Sequence, residues 1–242
     1  MDNIIFGIRP VAEAIEAGKE IERIYIRKGG DSQLLNDLRD LCLRHRLRVQ
    51  EVPVEKLNRL TRGNHQGAVA QIAAIGYVGL DDLLERVPDD ETPLLVVFDG
   101  VTDVRNFGAI ARSAECVGAS GIVIPNKRAA RVTAATYKSS AGAISHIPVT
   151  QVANLVSTIE RLKDEGFWVA AATEHASDLI WQSNLKGKIA LVMGNEGEGV
   201  SRLVLENCDF GVKLPQVGEI SSLNVAQAST ACMYEWLRQN WE

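Results

Sequence analysis

The sequence predicts an α/β protein with a mostly parallel sheet in its C-terminal domain and a small α/β domain ahead of it. Three observations carry this reading. Apolar, strand-like runs at residues 94–98, 121–125, 168–172 and 189–193, with a weaker one at 210–214, alternate with helical patterns near 106–117, 152–164 and 223–238. Uniformly apolar strands separated by helices belong to a parallel sheet covered on both faces. Residues 1–76 repeat the alternation on a smaller scale, and an acidic stretch separates the two. The expected boundaries are 1–76, a connector at 77–92, and 93–242.

In the first domain Val11, Ala14 and Ile15 fall at helical spacing, with Gly18 placed to end the helix. Ile24, Tyr25 and Ile26 read as a strand, and Leu34, Leu35, Leu38, Leu41 and Cys42 as a helical stripe. Residues 49–52 and 68–72 are further strand candidates, and the domain should end near Ile75. The connector carries Asp81, Asp82, Glu85, Asp89, Asp90 and Glu91. That density of charge reads as a solvated segment with one short helical turn.

The chain has 242 residues and a formal net charge of −5. Residues 1–76 hold 12 Lys/Arg against 10 Asp/Glu, so the remainder is the acidic part. This excludes a protein that coats a polyanion but leaves room for local basic patches. No apolar run approaches the roughly 18 residues of a membrane span, and the N-terminus lacks the pattern of a signal peptide. Cys42, Cys116, Cys208 and Cys232 show neither CxxC pairs nor Cys/His ligand spacing. They read as reduced thiols of a cytoplasmic protein with no structural metal.

Chemistry is expected beyond the carboxyl ends of the strands, where three loops carry unusual residues. The first leads from Asp99 through Asn106 into a helix with apolar Phe107, Ile110, Ala114 and Val117. At about 100° per residue, Arg112 lies opposite that stripe. A surface arginine and a helix-capping asparagine would explain the pattern equally well. The second loop is Gly194-Asn195-Glu196-Gly197-Glu198-Gly199, whose glycines permit close backbone approach to a ligand. It matches neither GxGxxG nor a Walker loop. The third runs from Leu214-Pro215 to Ser221-Ser222-Leu223-Asn224, at the start of an apolar helix, where capping by Ser221 or Ser222 is the plain alternative.

Together, in this order, these segments resemble the three motifs of the SpoU (TrmH) class of SPOUT RNA 2′-O-ribose methyltransferases. Residues 6–11 (FGIRPV) and 63–67 (GNHQG) resemble the auxiliary RNA-binding domain of the class's bacterial 23S rRNA guanosine-modifying members. Val104 and the pair Ala226-Gln227 depart from commoner residues without removing a functional group. The resemblance implies a trefoil-knotted C-terminal domain and a homodimer with sites at the subunit interface. It implies S-adenosylmethionine held by Thr173, Gly194, Asn195, Glu196, Gly197, Leu214, Ser222, Leu223 and Asn224. Asn106, Arg112, Glu196, Ser222 and Asn224 would serve the reaction. No metal is implied. In the resembled class Arg112 corresponds to a proposed base, which sits badly with a guanidinium pKa above about 12. An RNA phosphate gripped by Arg112 and relaying the proton costs less.

RNA contact requires local positive charge. Lys127, Arg128, Arg131 and Lys138 form one candidate patch, and Arg44 and Arg46, with Arg39, His45 and Arg48 nearby, form another. His65 could touch RNA or simply stabilise its turn. The expected substrate is 23S rRNA or a ribosome-assembly intermediate. The alternatives are a tRNA 2′-O-methyltransferase, a non-catalytic RNA-binding or assembly protein, and a nucleotide-dependent enzyme using the Gly194–Gly199 turn.

Overall fold

A computed structural model describes residues 4–19, 21–29, 32–72, 76–87, 92–219 and 222–241. The chain divides into two compact units, Met1–Gly76 and Tyr77–Glu242. Ile75, Asp89, Asp90, Glu91 and Ser221, which entered the expectations above, lie outside the described residues.

The first unit contains β1 (Ile4–Phe6), α1 (Ile8–Glu16), β2 (Ile21–Arg27), α2 (Gln33–Arg44), β3 (Val49–Val52), α3 (Val54–Leu60) and β4 (Ala68–Ile72). Its sheet runs β1-β4-β2-β3, with β4 antiparallel to both neighbours and β2 parallel to β3. Val11 and Ile15 from α1 and Leu35, Leu38 and Cys42 from α2 cover Ile24, Ile26, Ala68 and Ala70. On the other face Leu57 of α3 meets Tyr25, Val52 and Val69. Gly18 ends α1 as expected: its φ is 66°, its N–H donates to Ile15 O, and Lys19 N–H donates to Ala14 O. Arg46 does the same for α2 at φ 55°, with Leu47 N–H donating to Cys42 O.

The second unit contains α4 (Leu80–Glu85), β5 (Leu94–Asp99), α5 (Val104–Cys116), β6 (Gly121–Pro125), α6 (Ala134–Ser139), β7 (Val149–Val152), α7 (Leu155–Asp164), β8 (Trp168–Ala172), β9 (Ile189–Gly194), α8 (Arg202–Asn207), β10 (Phe210–Val212) and α9 (Val225–Asn240). The order is β10-β8-β9-β5-β6-β7, and every pairing is parallel. Leu95, Val97, Val169, Ala171, Ala190 and Val192 pack under α4, α7 and α8. Their alternate neighbours face the other side, where the Phe98 ring meets Phe107 of α5 edge-on, centroids 5.1 Å apart. Both faces are thus buried, which is why the strands read as unbroken apolar runs.

The connector expectation is corrected here. Residues 77–87 are not a free linker. Leu83 is fully buried in the core of the second unit, and Val87 joins it. Gly121 makes the room: a Cβ there would fall 2.6 Å from Leu83 Cδ1. Val78 N–H donates to Val149 O at 2.9 Å beside β7. Asp81, Asp82 and Glu85 lie on the exposed side of this short amphipathic helix, so the charge marks one face rather than a solvated segment.

Candidate active site

Adjacent parallel strands deliver their following loops to one edge of the sheet. β5 and β9 pair through to Asp99 and Gly194, so the first two motif loops start side by side. The third begins beyond β10 and returns to the start of α9. There the three meet. Asn106 Nδ2 donates to Glu196 Oε1 at 2.9 Å, and Asn224 Nδ2 donates to Asn106 Oδ1 at 3.1 Å. Asn224 Nδ2 also donates to Glu196 Oε1 in a short contact.

Helix capping does not account for Asn106. The N-cap of α5 is Asp103, whose Oδ1 accepts the Arg105 N–H at 2.7 Å, and Asn106 sits one turn inside with its amide free for this bond. Nor does Ser222 cap α9. That role falls to Asn224, whose Oδ1 accepts the Ala226 N–H while its Nδ2 serves the cluster.

The glycine turn is built by its own asparagine. Asn195 and Gly199 exchange two backbone hydrogen bonds at 3.1 Å. Asn195 Oδ1 accepts the N–H groups of Gly197 and Glu198 at 2.8 and 2.6 Å. Those amides are therefore spent inside the turn. Gly194 is required for closeness: a Cβ would sit 2.0 Å from the Gly199 carbonyl carbon. Asp99 Oδ2 accepts Ser201 N–H at 2.6 Å and ties the turn to the end of β5.

Two hollows flank this turn. The smaller, about 120 Å³, is lined by Thr173, Gly194, Asn195, Glu196, Leu214 and Leu223 from the expected cofactor set. It adds Glu174, Lys213, Gln216 and Cys232, which the sequence did not single out. Cys232 was legible only as one position of an apolar helical stripe. Burial pushes its thiol up to about 12. Gly197 lines the other hollow, and Ser222 is exposed and lines neither. The larger hollow, about 910 Å³, holds Asp99, Asp103, Asn106, Lys127, Arg128 and Glu198. Asn195, Glu196, Gly199 and Val225 border both.

Arg112 is not in this assembly of residues. It is exposed on α5, six residues beyond Asn106, which is about 9 Å along the helix axis. It lines neither hollow. Of the expected basic patches, Lys127 and Arg128 face the larger hollow, and Arg128 takes the left-handed backbone at φ 57°. Arg131 turns back to donate to Asn126 O at 2.6 Å. Lys138 is exposed in the last turn of α6. Arg44 and Arg46 are exposed where α2 ends, and a cation there offsets the helix dipole without any ligand. His65 proves to be a turn residue. Its Nδ1 accepts Gly67 N–H at 3.0 Å, so Nε2 carries the proton donated to Asn58 Oδ1 at 2.9 Å. Met233 and Trp236 of α9 are buried within the chain.

Family models decide the class. Residues 93–234 match the SpoU rRNA Methylase family, and residues 4–78 match the RNA 2′-O ribose methyltransferase substrate-binding domain. The chain belongs to the SpoU methylase family. It is 39% identical over 239 residues to a protein of Staphylococcus haemolyticus named as a TrmH family tRNA/rRNA methyltransferase, covering 98% of this chain and 96% of that one. It is 37% identical to the protein named YacO of Bacillus subtilis in the same family, covering 97% and 95%. Among solved structures it resembles the SpoU methyltransferase AviRb of Streptomyces viridochromogenes in complex with AdoMet, at TM-score 0.63 and 26% identity, covering 98% of this chain and 89% of that one. The SpoU member is accordingly an RNA methyltransferase, with an α/β SPOUT-type catalytic unit and a substrate-binding unit before it. Among the described residues no group of three or more His, Cys, Asp or Glu is placed to hold a metal ion, and no helix is long and apolar enough to cross a membrane.

Proposed function

We propose that this protein methylates a ribose 2′-hydroxyl of 23S rRNA, at a guanosine, using S-adenosylmethionine, and that it works in the cytoplasm as a homodimer. The observation that carries the reading is the Asn106–Glu196–Asn224 hydrogen-bonded cluster, in which Glu196 borders both hollows, Asn106 lines the larger and Asn224 lines neither.

The lining of the smaller hollow suits the methyl donor, although at about 120 Å³ it encloses only part of that molecule and its loops must open to admit the rest. Ala172, Met193, Val212, Leu214 and Leu223 offer apolar walls for a purine, while Glu174, Glu196 and Lys213 offer both signs of charge for a zwitterionic tail and a sulfonium. The larger hollow suits the nucleotide, with Lys127 and Arg128 placed for its phosphates. The carboxylate of Glu196 fixes both asparagine amides, which leaves the Asn106 side chain at the boundary to orient the ribose. Such positioning is the main demand of an in-line transfer. Held beside Glu196, S-adenosylmethionine would supply the methyl group, and the proton of the ribose 2′-hydroxyl would pass to an RNA phosphate.

Arg112 of a second chain would hold that phosphate. Its absence from both hollows of its own chain supports this arrangement, as does the exposed Tyr234 on α9, which leaves part of that helix available to a partner. A trefoil knot, which the family resemblance implies, is compatible with the return of the chain from edge strand β10 to α9, packed on α5. Transfer RNA is the second reading, favoured by the tRNA/rRNA wording of the relatives' names.

Mass-spectrometric mapping of 2′-O-methylation in RNA from cells with and without the gene tests the substrate. Loss of one methylated guanosine in 23S rRNA is the expected result. Loss confined to tRNA moves the assignment to the second reading, and an unchanged map in both overturns the function.

A further inference from the structure

The segments at 6–11 and 63–67 lie at one edge of the first unit and are not used by the site described above. Phe6 ends β1 and Gly67 precedes β4, its antiparallel partner, so both segments meet where the parallel strands β1 and β2 end. Gln66 Oε1 accepts Ile8 N–H at 3.4 Å, and Gly7 N–H donates to Ala68 O at 3.0 Å. Arg27 N–H donates to Gly67 O at 2.8 Å and joins β2 to the same edge. The Phe6 ring rests against Gly63, where a Cβ would come within 2.3 Å, yet the ring is 39% exposed.

Arg9, Arg27, Lys28 and Arg62 are exposed here, and segments 6–9, 27–29 and 61–67 contain no carboxylate. The acids that border it are Glu13, one turn beyond Arg9 on α1, Glu51 opposite Ile26, and Glu55 in the first turn of α3. The opposite edge is different. It mixes Glu16 of α1 with the arginines that end α2, while at the proposed edge Glu51, which pairs with Ile26 beside Arg27, is already neutralised by Arg39 at 3.0 Å.

We propose that the edge formed by Phe6, Arg9, Arg27, Lys28, Arg62 and Gln66 is the surface by which the first unit grips RNA, at an unpaired loop rather than a duplex. Four cations meet phosphates, the exposed ring gives an unstacked base a platform, and the Gln66 amide borders it. An aromatic platform beside cations is how single-stranded RNA is held, whereas a duplex hides its bases. This rests on RNA as the substrate, and it moves recognition away from Arg44, Arg46 and His65.

The test uses the full chain and fluorescently labelled fragments of bacterial 16S and 23S rRNA, with affinity read by polarisation over a range of KCl concentrations. Arg9→Ala/Arg62→Ala should weaken binding about tenfold and lower the salt slope by about 1.4, at roughly 0.7 per single-strand phosphate. Phe6→Ala should weaken binding by about fivefold or more with the salt slope unchanged, because stacking releases no counterion. Arg44→Ala/Arg46→Ala should stay within about twofold. Arg62→Glu, at an exposed position, is a second variant should Phe6→Ala fail to fold. A greater loss in Arg44→Ala/Arg46→Ala than in Arg9→Ala/Arg62→Ala, or an unchanged slope in the latter, overturns the proposal. S-adenosylmethionine binding by calorimetry separates the two claims. A wild type that methylates RNA while Arg9→Ala/Arg62→Ala binds RNA normally sinks the edge alone, and a wild type that binds no RNA sinks both.

Discussion

The smaller hollow combines Ala172, Met193, Val212, Leu223 and Cys232 with Glu174, Glu196 and Lys213, whereas the larger and wider one sets Asp99, Asp103, Lys127, Arg128 and Glu198 beside Leu155, Leu203 and Val204. One turn of backbone, Asn195 to Gly199, separates them. The contrast assigns work. On the proposed reading the narrow hollow fixes a small molecule by shape, and in the wide one only Lys127 and Arg128 can meet phosphate, against the carboxylates of Asp99, Asp103, Glu196 and Glu198. The turn has to be thin for a group to pass from one side to the other. That explains why its hydrogen bonds are satisfied internally by Asn195 and why Gly194 can bear no side chain.

The strongest way to break this division is Gly194→Ala. The added Cβ meets backbone rather than a movable side chain, at 2.0 Å from Gly199 C. The turn must open, so both hollows change together. We expect methyl transfer to vanish and cofactor affinity, measured by calorimetry, to fall about a hundredfold. A variant that binds the cofactor normally would show that the turn is not the wall between the sites.

Arg112→Lys probes the reacting groups without touching either hollow of its own chain. Charge is kept and the bidentate fork is lost. The methylation rate should fall about a hundredfold, with cofactor affinity unchanged. Mixing this variant with Gly194→Ala in one preparation sharpens the point. If Arg112 serves its partner's site, the heterodimer contains one intact site, and part of the activity returns. Activity near wild type in Arg112→Lys alone removes the residue from the reaction.

Lys127→Ala/Arg128→Ala should act on the larger hollow alone. RNA affinity should drop about tenfold and the salt slope should decrease by roughly 1.4, while cofactor binding holds. Loss of cofactor binding instead would mean that the two hollows are not separate compartments.

These contrasts were unequally legible in the sequence. Uniformly apolar strands announced a two-sided parallel sheet, and β6 and β8 appear with the bounds that pattern gave. β7 was missed because Val149-Thr150-Gln151-Val152 is short and runs into the helical pattern that follows. Short α3, α6 and α8 have too few turns for a period to emerge. Motif order located Asn106, Glu196 and Asn224, but not their mutual hydrogen bonds, which depend on β5 and β9 being neighbours. Leu83 misled for a different reason. Local charge is visible in sequence, while the empty space beside Gly121 that receives the leucine is a tertiary fact.

The smallest expected effect concerns the wall of the smaller hollow and follows from its burial. Cys232 is held up to about 12 by burial, and so is Cys208 at the C-terminal end of α8, where burial leads and the Asp209 and Asp99 carboxylates add to it against Lys163. Both start from an ordinary value of 9.0. In the unfolded chain these thiols ionise first, so the unfolded state is stabilised as pH rises above 9.0 while the folded state keeps its protons. Their contribution is therefore fully present below that value and is lost as pH climbs toward about 12. Denaturant midpoints measured across this range should fall less steeply in Cys232→Ala than in wild type, because the comparison cancels every other alkaline group. Parallel curves would mean that Cys232 meets water, and the smaller hollow would then be wet enough to lose its distinction from its neighbour.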